Sequence, residues 1–209
     1  MAIRAVISDF GGVLTNPLWE AFSGWNERVG ADPGVLGRAL MSAAAAAGGK
    51  HPLYELEKGH LSEEEFTTLV QAQLPAEIKL EGFREIYFSH LHPNDPMIEL
   101  MRDLRGRGLR MAILTNNVRE WEPLWRAKLP VDEIFHVVVD SAFVGMRKPE
   151  REIYELTLER LGDGLTASEC VFVDDVDVNC EMARELGMRA VHYGSPEQAI
   201  PEIEAALRD

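Results

Sequence analysis

Short, almost continuously apolar segments recur along the chain, and stretches with helical spacing separate them. The apolar segments are residues 3–9, 109–115, 134–140, 170–175 and 188–193, and most of them are rich in β-branched residues. Runs of this length are typical of parallel strands that are covered by helices on both faces. The alternation therefore predicts an α/β fold with a doubly wound parallel sheet.

The segment 17–92 interrupts this alternation, because it carries helical spacing and no strand pattern. Its helical stretches are residues 18–30, 33–48 and 52–74. We expect this segment to form a small helical bundle, inserted directly after the first strand.

The later strands are separated by further stretches with helical spacing. They predict helices over 95–105, 119–128, 149–162, 177–186 and 196–207. The third of these begins at Pro149 and ends at Gly162, which are the residue types preferred at the two ends of a helix.

The net charge of −14 argues against nucleic acid and anionic membrane surfaces as partners, since both require a cationic face. No apolar run approaches the roughly 18 residues that span a bilayer, and the N-terminus has no secretory pattern. Cys170 and Cys180 have no metal-type spacing and suit buried, reduced thiols. These features favour a cytoplasmic protein, either a monomer or a homodimer.

Polar residues stand where several of the predicted strands end. Asp9 ends the first strand, Thr115 the second, and Asp174 and Asp175 the strand at 170–175. Doubly wound sheets bind ligands at the carboxyl ends of their strands, so we expect these residues to converge. Carboxylates brought together repel each other, and Mg²⁺ shared with a substrate phosphate relieves that repulsion. Lys148 and the N-terminus of the helix at 149 would add positive charge for the phosphate.

Four motifs resemble those of the haloacid dehalogenase superfamily, subfamily IA, and they occur in the family's order. They are Asp9-Phe10-Gly11-Gly12-Val13, Ile113-Leu114-Thr115-Asn116, Lys148-Pro149 and Val173-Asp174-Asp175. The resemblance covers essentially the whole chain. It implies a type 1 helical cap domain over 17–92 and a Rossmann-like catalytic core formed by 1–16 and 93–209. It is especially close to the N-terminal phosphatase domain of soluble epoxide hydrolase and to bacterial sugar-phosphate phosphatases.

The resemblance implies a phosphatase that acts on a small phosphorylated metabolite through an aspartyl-phosphate on Asp9. In that mechanism Lys148 neutralises both the nucleophile and the phosphate. The resemblance also implies that Asp9, the Gly11 carbonyl and Asp175 bind Mg²⁺. The Thr115 hydroxyl and the Asn116 backbone N–H would bind the phosphate. Asp174 and Asn179 would position Lys148 and the waters of the metal.

Gly11 departs from the family pattern, because most of the phosphatases carry a second Asp at that position as the general acid and base. Such a group typically accelerates a reaction by about 10²–10⁴-fold. We hypothesise a substrate with an easily released oxygen, such as a sugar 1-phosphate. The two-glycine turn also predicts open space for a water or a substrate group, and Glu20, His51 or His60 of the cap are alternative acids.

Three other interpretations fit parts of the sequence. A 2-haloacid dehalogenase would use Asp9 without a metal and leave Asp174 and Asp175 unexplained. A phospholigand-binding protein with little turnover would explain Gly11. A receiver-like phosphoaspartate domain would share the strand-end residues but not the helical insertion. Arg147 and the cap carboxylates, Glu57 among them, are expected on a solvated surface.

Overall fold

A five-stranded parallel sheet lies at the centre of the computed structural model, which describes residues 2–208. The strands are β1 Ala5–Ser8, β2 Arg110–Thr115, β3 Val137–Asp140, β4 Cys170–Asp174 and β5 Arg189–His192. Their order is β3-β2-β1-β4-β5, so β1 is central and pairs with β2 and β4. The predicted doubly wound parallel sheet is confirmed.

Helices cover both faces of the sheet. They are α1 Leu18–Val29, α2 Val35–Ala46, α3 Pro52–Glu57, α4 Glu63–Gln71, α5 Phe83–His90, α6 Asp95–Gly106, α7 Glu122–Arg126, α8 Val131–Ile134, α9 Ser141–Val144, α10 Arg151–Leu161, α11 Asp177–Glu185 and α12 Pro196–Arg208. Single 3₁₀ turns occur at Arg119–Trp121 and Ala167–Glu169. Within residues 2–208, no helix is both long and apolar enough to cross a bilayer.

Alternate residues of β1 pack into different halves of the core, as the two-residue repeat of a strand requires. Val6 packs with residues of α6 and α12, whereas Ala5 and Ile7 pack with residues of α10 and α11. Both faces of the strand are therefore buried, which explains why its sequence is apolar throughout rather than alternating.

The helices α1 to α5 form the inserted cap between β1 and α6. They share an apolar core of their own, formed by Trp25, Val35, Ala39, Val70, Leu74, Ile78 and Leu80. The two chain segments that connect the cap to the sheet run side by side, because Asn16 N–H donates to the His92 carbonyl at 2.9 Å and Asn94 N–H to the Leu14 carbonyl at 3.0 Å.

Two predicted boundaries are wrong. The strand expected at 134–140 begins only at Val137, because α8 extends to Ile134. The helical stretch 52–74 forms two helices, α3 and α4, and α4 begins at a capping box of Ser62 and Glu65. Gly59 lies between them, with a φ of +68° and with an added Cβ 2.2 Å from the Ala142 carbonyl oxygen. The helix expected from Pro149 begins at Arg151, because Glu150 still has extended backbone angles.

Candidate active site

Asp9 follows the central strand β1 and lies at the carboxyl edge of the sheet. Its backbone N–H donates to the Val173 carbonyl at 2.8 Å, which holds it beside β4. Its side-chain Oδ1 accepts the Phe10 N–H at 2.7 Å and lies 2.8 Å from the Lys148 Nζ. Among the described residues, no hydrogen bond reaches the other oxygen, Oδ2. One oxygen of a nearly buried carboxylate is therefore available to a ligand.

Lys148 is completely buried beside Asp9, with 1% of its side chain exposed. Its Nζ lies 2.8 Å from Asp9 Oδ1 and 2.6 Å from Asp174 Oδ2. The backbone of Lys148 is held by the side-chain amide of Asn116, which donates to its carbonyl at 3.0 Å and accepts its N–H at 2.8 Å. The loop before α10 is thus tied to the end of β2, and the ammonium has a defined position.

Asp174, the last residue of β4, has both carboxylate oxygens bonded within the protein. Oδ2 contacts Lys148, and Oδ1 accepts the Asn179 side-chain N–H and the Val176 backbone N–H, each at 2.9 Å. The Asn179 carbonyl in turn accepts the Tyr154 hydroxyl at 3.0 Å. Asp174 therefore positions the lysine.

The carboxylates of Asp9 and Asp175 could hold a hard divalent cation, with the Asp174 carboxylate close beside them. One oxygen of each lies within 4.8 Å of the others. Burial raises the pKa of Asp9, and the charges of Asp174 and Asp175 raise it further, although Lys148 acts in the opposite direction. Burial and Asp174 likewise raise the pKa of Asp175. One ammonium does not balance three carboxylates, and oxygen ligands of this kind are those that Mg²⁺ prefers.

Burial alone would lower the pKa of Lys148, but the neighbouring Asp174 and Asp9 carboxylates outweigh burial and raise it. The lysine is therefore held as a cation inside the protein. A buried cation of this kind supplies positive charge that solvent does not screen.

The turn after Asp9 depends on glycine at position 12, a requirement that the sequence analysis did not anticipate. Gly12 has a φ of +79°, and an added Cβ would lie 2.3 Å from Asp175 Oδ2. The neighbouring position differs from expectation, because an added Cβ at Gly11 would lie 3.0 and 3.1 Å from the two Leu18 methyl carbons. The space expected for a water or a substrate group is thus partly filled by Leu18.

A cavity of about 1080 Å³ opens between this edge of the sheet and the cap. Asp9, Lys148 and Asp175 border it, together with Thr115 and Asn116 at the end of β2. The predicted site residues on the four motifs are thus brought to one place. The alternative acids Glu20, His51 and His60 are not among the described residues that border this cavity.

Glu57 and Arg147 form an ion pair between the cap and the sheet edge, contrary to the solvated surface expected for both. Their Oε2 and Nε atoms lie 2.7 Å apart, with 15% and 17% of the side chains exposed. Burial raises the pKa of Glu57, while the Arg147 charge partly offsets that rise. The partners are far apart in sequence and on separate elements, so sequence periodicity did not indicate their contact.

The sequence of this chain is similar to those of known hydrolases. The family description "haloacid dehalogenase-like hydrolase" matches residues 3–187. Bifunctional epoxide hydrolase 2 of Sus scrofa is 26% identical over 98% of this chain and 39% of its own length. Glyceraldehyde 3-phosphate phosphatase of Methanocaldococcus jannaschii is 32% identical over 52% of this chain and 47% of its own. The chain spans only 19% to 39% of the length of the first curated relatives.

A solved structure of a haloacid dehalogenase family enzyme from Bacteroides thetaiotaomicron, in complex with magnesium and inorganic phosphate, is also similar. It is 21% identical, has a TM-score of 0.69, and covers 92% of this chain and 94% of its own. That likeness shows the shared fold. Together with the family match over most of the chain, it confirms the resemblance found in the sequence: the protein belongs to the haloacid dehalogenase-like hydrolases.

Proposed function

We propose that the protein is a Mg²⁺-dependent phosphatase that forms an aspartyl-phosphate on Asp9. The observation that carries this proposal is the state of the Asp9 carboxylate, which contacts the buried Lys148 through Oδ1 and keeps Oδ2 available. The named phosphatase among the relatives and the magnesium and phosphate in the related structure support the same chemistry.

The metal would be held by Asp9, the Gly11 carbonyl and Asp175. When bound, it supplies the positive charge that reduces repulsion between an anionic nucleophile and an anionic phosphate. Asp174 would not be a direct ligand, because both of its oxygens are bonded to Lys148, Asn179 and Val176.

In the first step Asp9 Oδ2 attacks phosphorus, and the bond from phosphorus to the leaving oxygen breaks. That oxygen would take its proton from solvent, because Gly11 offers no acid. The Thr115 hydroxyl and the Asn116 backbone N–H would bind the phosphate oxygens while Lys148 offsets their charge. In the second step water cleaves the aspartyl-phosphate, releasing inorganic phosphate and restoring the carboxylate. Cap helices α1 to α5 would exclude bulk water and select the alcohol, which would give the segment 17–92 the role of a substrate-selecting domain.

p-Nitrophenyl phosphate tests the proposal, because its leaving oxygen needs no general acid and the absence of an Asp at position 11 then matters little. We expect phosphate release that requires Mg²⁺ and stops on chelation. Asp9→Asn should lower kcat at least about 10³-fold. Asp177→Asn, which changes an exposed acid at the start of α11, is the matched control and should retain activity.

Two other outcomes would contradict the proposal. Metal-independent chloride release from 2-chloropropionate, without phosphatase activity, would identify a dehalogenase. Tight binding of phosphate esters by the Mg²⁺-loaded protein, with no release of phosphate, would identify a phospholigand-binding protein.

A further inference from the structure

Tyr87 of the cap helix α5 differs from the other buried tyrosines, because nothing bonds to its hydroxyl. The Tyr154 hydroxyl donates to the Asn179 carbonyl at 3.0 Å, and the Tyr193 hydroxyl accepts the Asn94 side-chain N–H at 2.7 Å. Tyr87 is only 7% exposed, yet its hydroxyl has no hydrogen-bond partner among the described residues. Buried tyrosines usually satisfy this group, so the Tyr87 hydroxyl is suited to a ligand.

The Tyr87 hydroxyl opens into the cavity that contains the nucleophile. Tyr87 and Asp9 both border that cavity, and the hydroxyl oxygen is not enclosed by protein atoms. Burial raises the pKa of Tyr87, and the charge of Asp9 raises it further, as expected for two groups that face one space. The phenol therefore keeps its proton at neutral pH and is available as a hydrogen-bond donor.

Aromatic neighbours restrict the position of the Tyr87 ring. Its centroid lies 5.4 Å from that of Phe22 in α1, 5.3 Å from that of Phe88 in α5, and 5.1 Å from that of Trp121 in the core. A hydroxyl on a ring that is packed in this way loses little freedom when it binds a ligand. The hydrogen bond that it can donate is therefore preorganised.

Position 11, beside the nucleophile, offers no polar group to a leaving oxygen. The methyl carbons of Leu18 stand 3.0 and 3.1 Å from the point that a Cβ on Gly11 would occupy. In the cap, Glu57 borders the same cavity but is already paired with Arg147 at 2.7 Å. The phenol of Tyr87 is neutral and has no such competing partner.

The direction of attack determines where a leaving oxygen lies. Displacement at phosphorus is in line, so the leaving oxygen is on the side of phosphorus opposite to the attacking Asp9. Asp9 attacks from the sheet edge, where Thr115, Asn116 and Lys148 also lie, so the leaving oxygen would point towards the cap. A donor for that oxygen has to come from the cap, which is where Tyr87 lies.

We propose that the Tyr87 hydroxyl donates a hydrogen bond to the leaving oxygen of the substrate and is a catalytic residue of this site. The inference rests on the proposed phosphatase function. As the bond from Asp9 Oδ2 to phosphorus forms, the electron pair of the breaking phosphorus–oxygen bond moves onto the leaving oxygen. Tyr87 stabilises that charge until solvent water supplies the proton. The hydrogen bond strengthens as charge develops, so it helps most when the leaving oxygen is most basic.

Substituted phenyl phosphates test this role in the Mg²⁺-loaded protein. The basicity of the leaving oxygen rises from p-nitrophenyl through phenyl to p-methoxyphenyl phosphate, and kcat/KM reports the first step, in which the bond to that oxygen breaks. For Tyr87→Phe we expect kcat/KM to change about twofold or less with p-nitrophenyl phosphate. With p-methoxyphenyl phosphate it should fall about tenfold, the effect of one hydrogen bond. The plot of log kcat/KM against the pKa of the leaving phenol should therefore become steeper.

Tyr54→Phe is the matched control. Tyr54 borders the same cavity from α3, but it is 45% exposed and its ring lies under the Arg147 guanidinium at 4.0 Å. Loss of its hydroxyl should leave the plot unchanged, and an equally steep plot for this variant would overturn the inference. The urea midpoint of Tyr87→Phe should equal that of the wild type, because the hydroxyl has no protein partner. A lower midpoint would show a structural role instead.

The same series separates failure of this inference from failure of the proposed function. If Tyr87→Phe lowers kcat/KM equally for every ester, or leaves every value unchanged, the hydroxyl does not act on the leaving oxygen and the inference alone fails. If the wild type releases no phosphate from any ester of the series, the phosphatase function fails, and the role of Tyr87 fails with it.

Discussion

The two sides of the cavity differ in how their side chains are held. At the sheet edge, Lys148, Asp174 and Asn179 are connected by ion pairs and hydrogen bonds of 2.6 to 2.9 Å, each with a specified direction. On the cap side, Phe22 and Tyr87 meet through ring packing, which is less directional. Under the proposed function, the core would carry out the reaction, whereas the cap would select the substrate and tolerate changes of its shape.

Replacing the central cation of the sheet edge should have the largest effect on stability. Lys148→Met leaves the carboxylates of Asp9 and Asp174 buried without their partner. We expect a loss of about 3–5 kcal/mol in the free energy of unfolding, measured by urea denaturation without Mg²⁺. The phosphatase activity proposed for this site should fall with it.

The matched control is Lys58→Met, at the ion pair with Glu150, where the lysine side chain is partly exposed. That change should cost about 1 kcal/mol or less, because solvent screens the pair. Similar losses for the two lysine variants would show that the buried network is not specially sensitive.

Asp140 is a buried carboxylate of the core that has no contact with Lys148. It therefore shows how a buried carboxylate behaves without a neighbouring ammonium. Its Oδ1 accepts the Ala142 N–H at 3.0 Å, and burial raises its pKa from 3.8 to about 6. The native state therefore binds more protons than the unfolded state between about pH 4 and pH 6, so this group destabilises the fold as the pH rises through that window.

Asp140→Asn keeps an acceptor for the Ala142 N–H and removes the buried charge. The variant should be more stable than the wild type by up to about 3 kcal/mol at pH 7.5, and the advantage should disappear near pH 4. Urea denaturation at several pH values measures this difference. A constant difference at all pH values would show that the charge of Asp140 is not its cause.

Removing the ion pair between the cap and the sheet edge should have the smallest effect on stability. Glu57→Gln removes the charge that faces Arg147 across the boundary between cap and sheet. We expect a change of about 1 kcal/mol or less in the free energy of unfolding, because the cost of burying the Glu57 carboxylate offsets much of what the Arg147 charge contributes. Glu64→Gln, on an exposed position of α4, is the control and should change stability by less than about 0.5 kcal/mol. Equal changes in the free energy of unfolding for Glu57→Gln and Glu64→Gln would show that the ion pair does not contribute to stability.

Local sequence patterns were sufficient for the sheet and for the positions of its strand-end residues. Asp9, Thr115 and Asp174 end apolar runs, and parallel strands bring their carboxyl ends to one edge. The same patterns were not sufficient for the start of β3, where α8 extends into the predicted strand. Nor did they indicate the close packing at Gly59, which depends on the distant Ala142 carbonyl.

The sequence by itself determined the parallel α/β core, the helical insertion after the first strand, and the family of hydrolases to which the chain belongs. Only the tertiary structure decided that Leu18 stands beside Gly11, that Glu57 pairs with Arg147, and that aromatic rings line the cavity. The physical reason is that strands and helices follow from short periodicities along the chain. A cavity wall instead depends on which side chains meet when distant segments pack together.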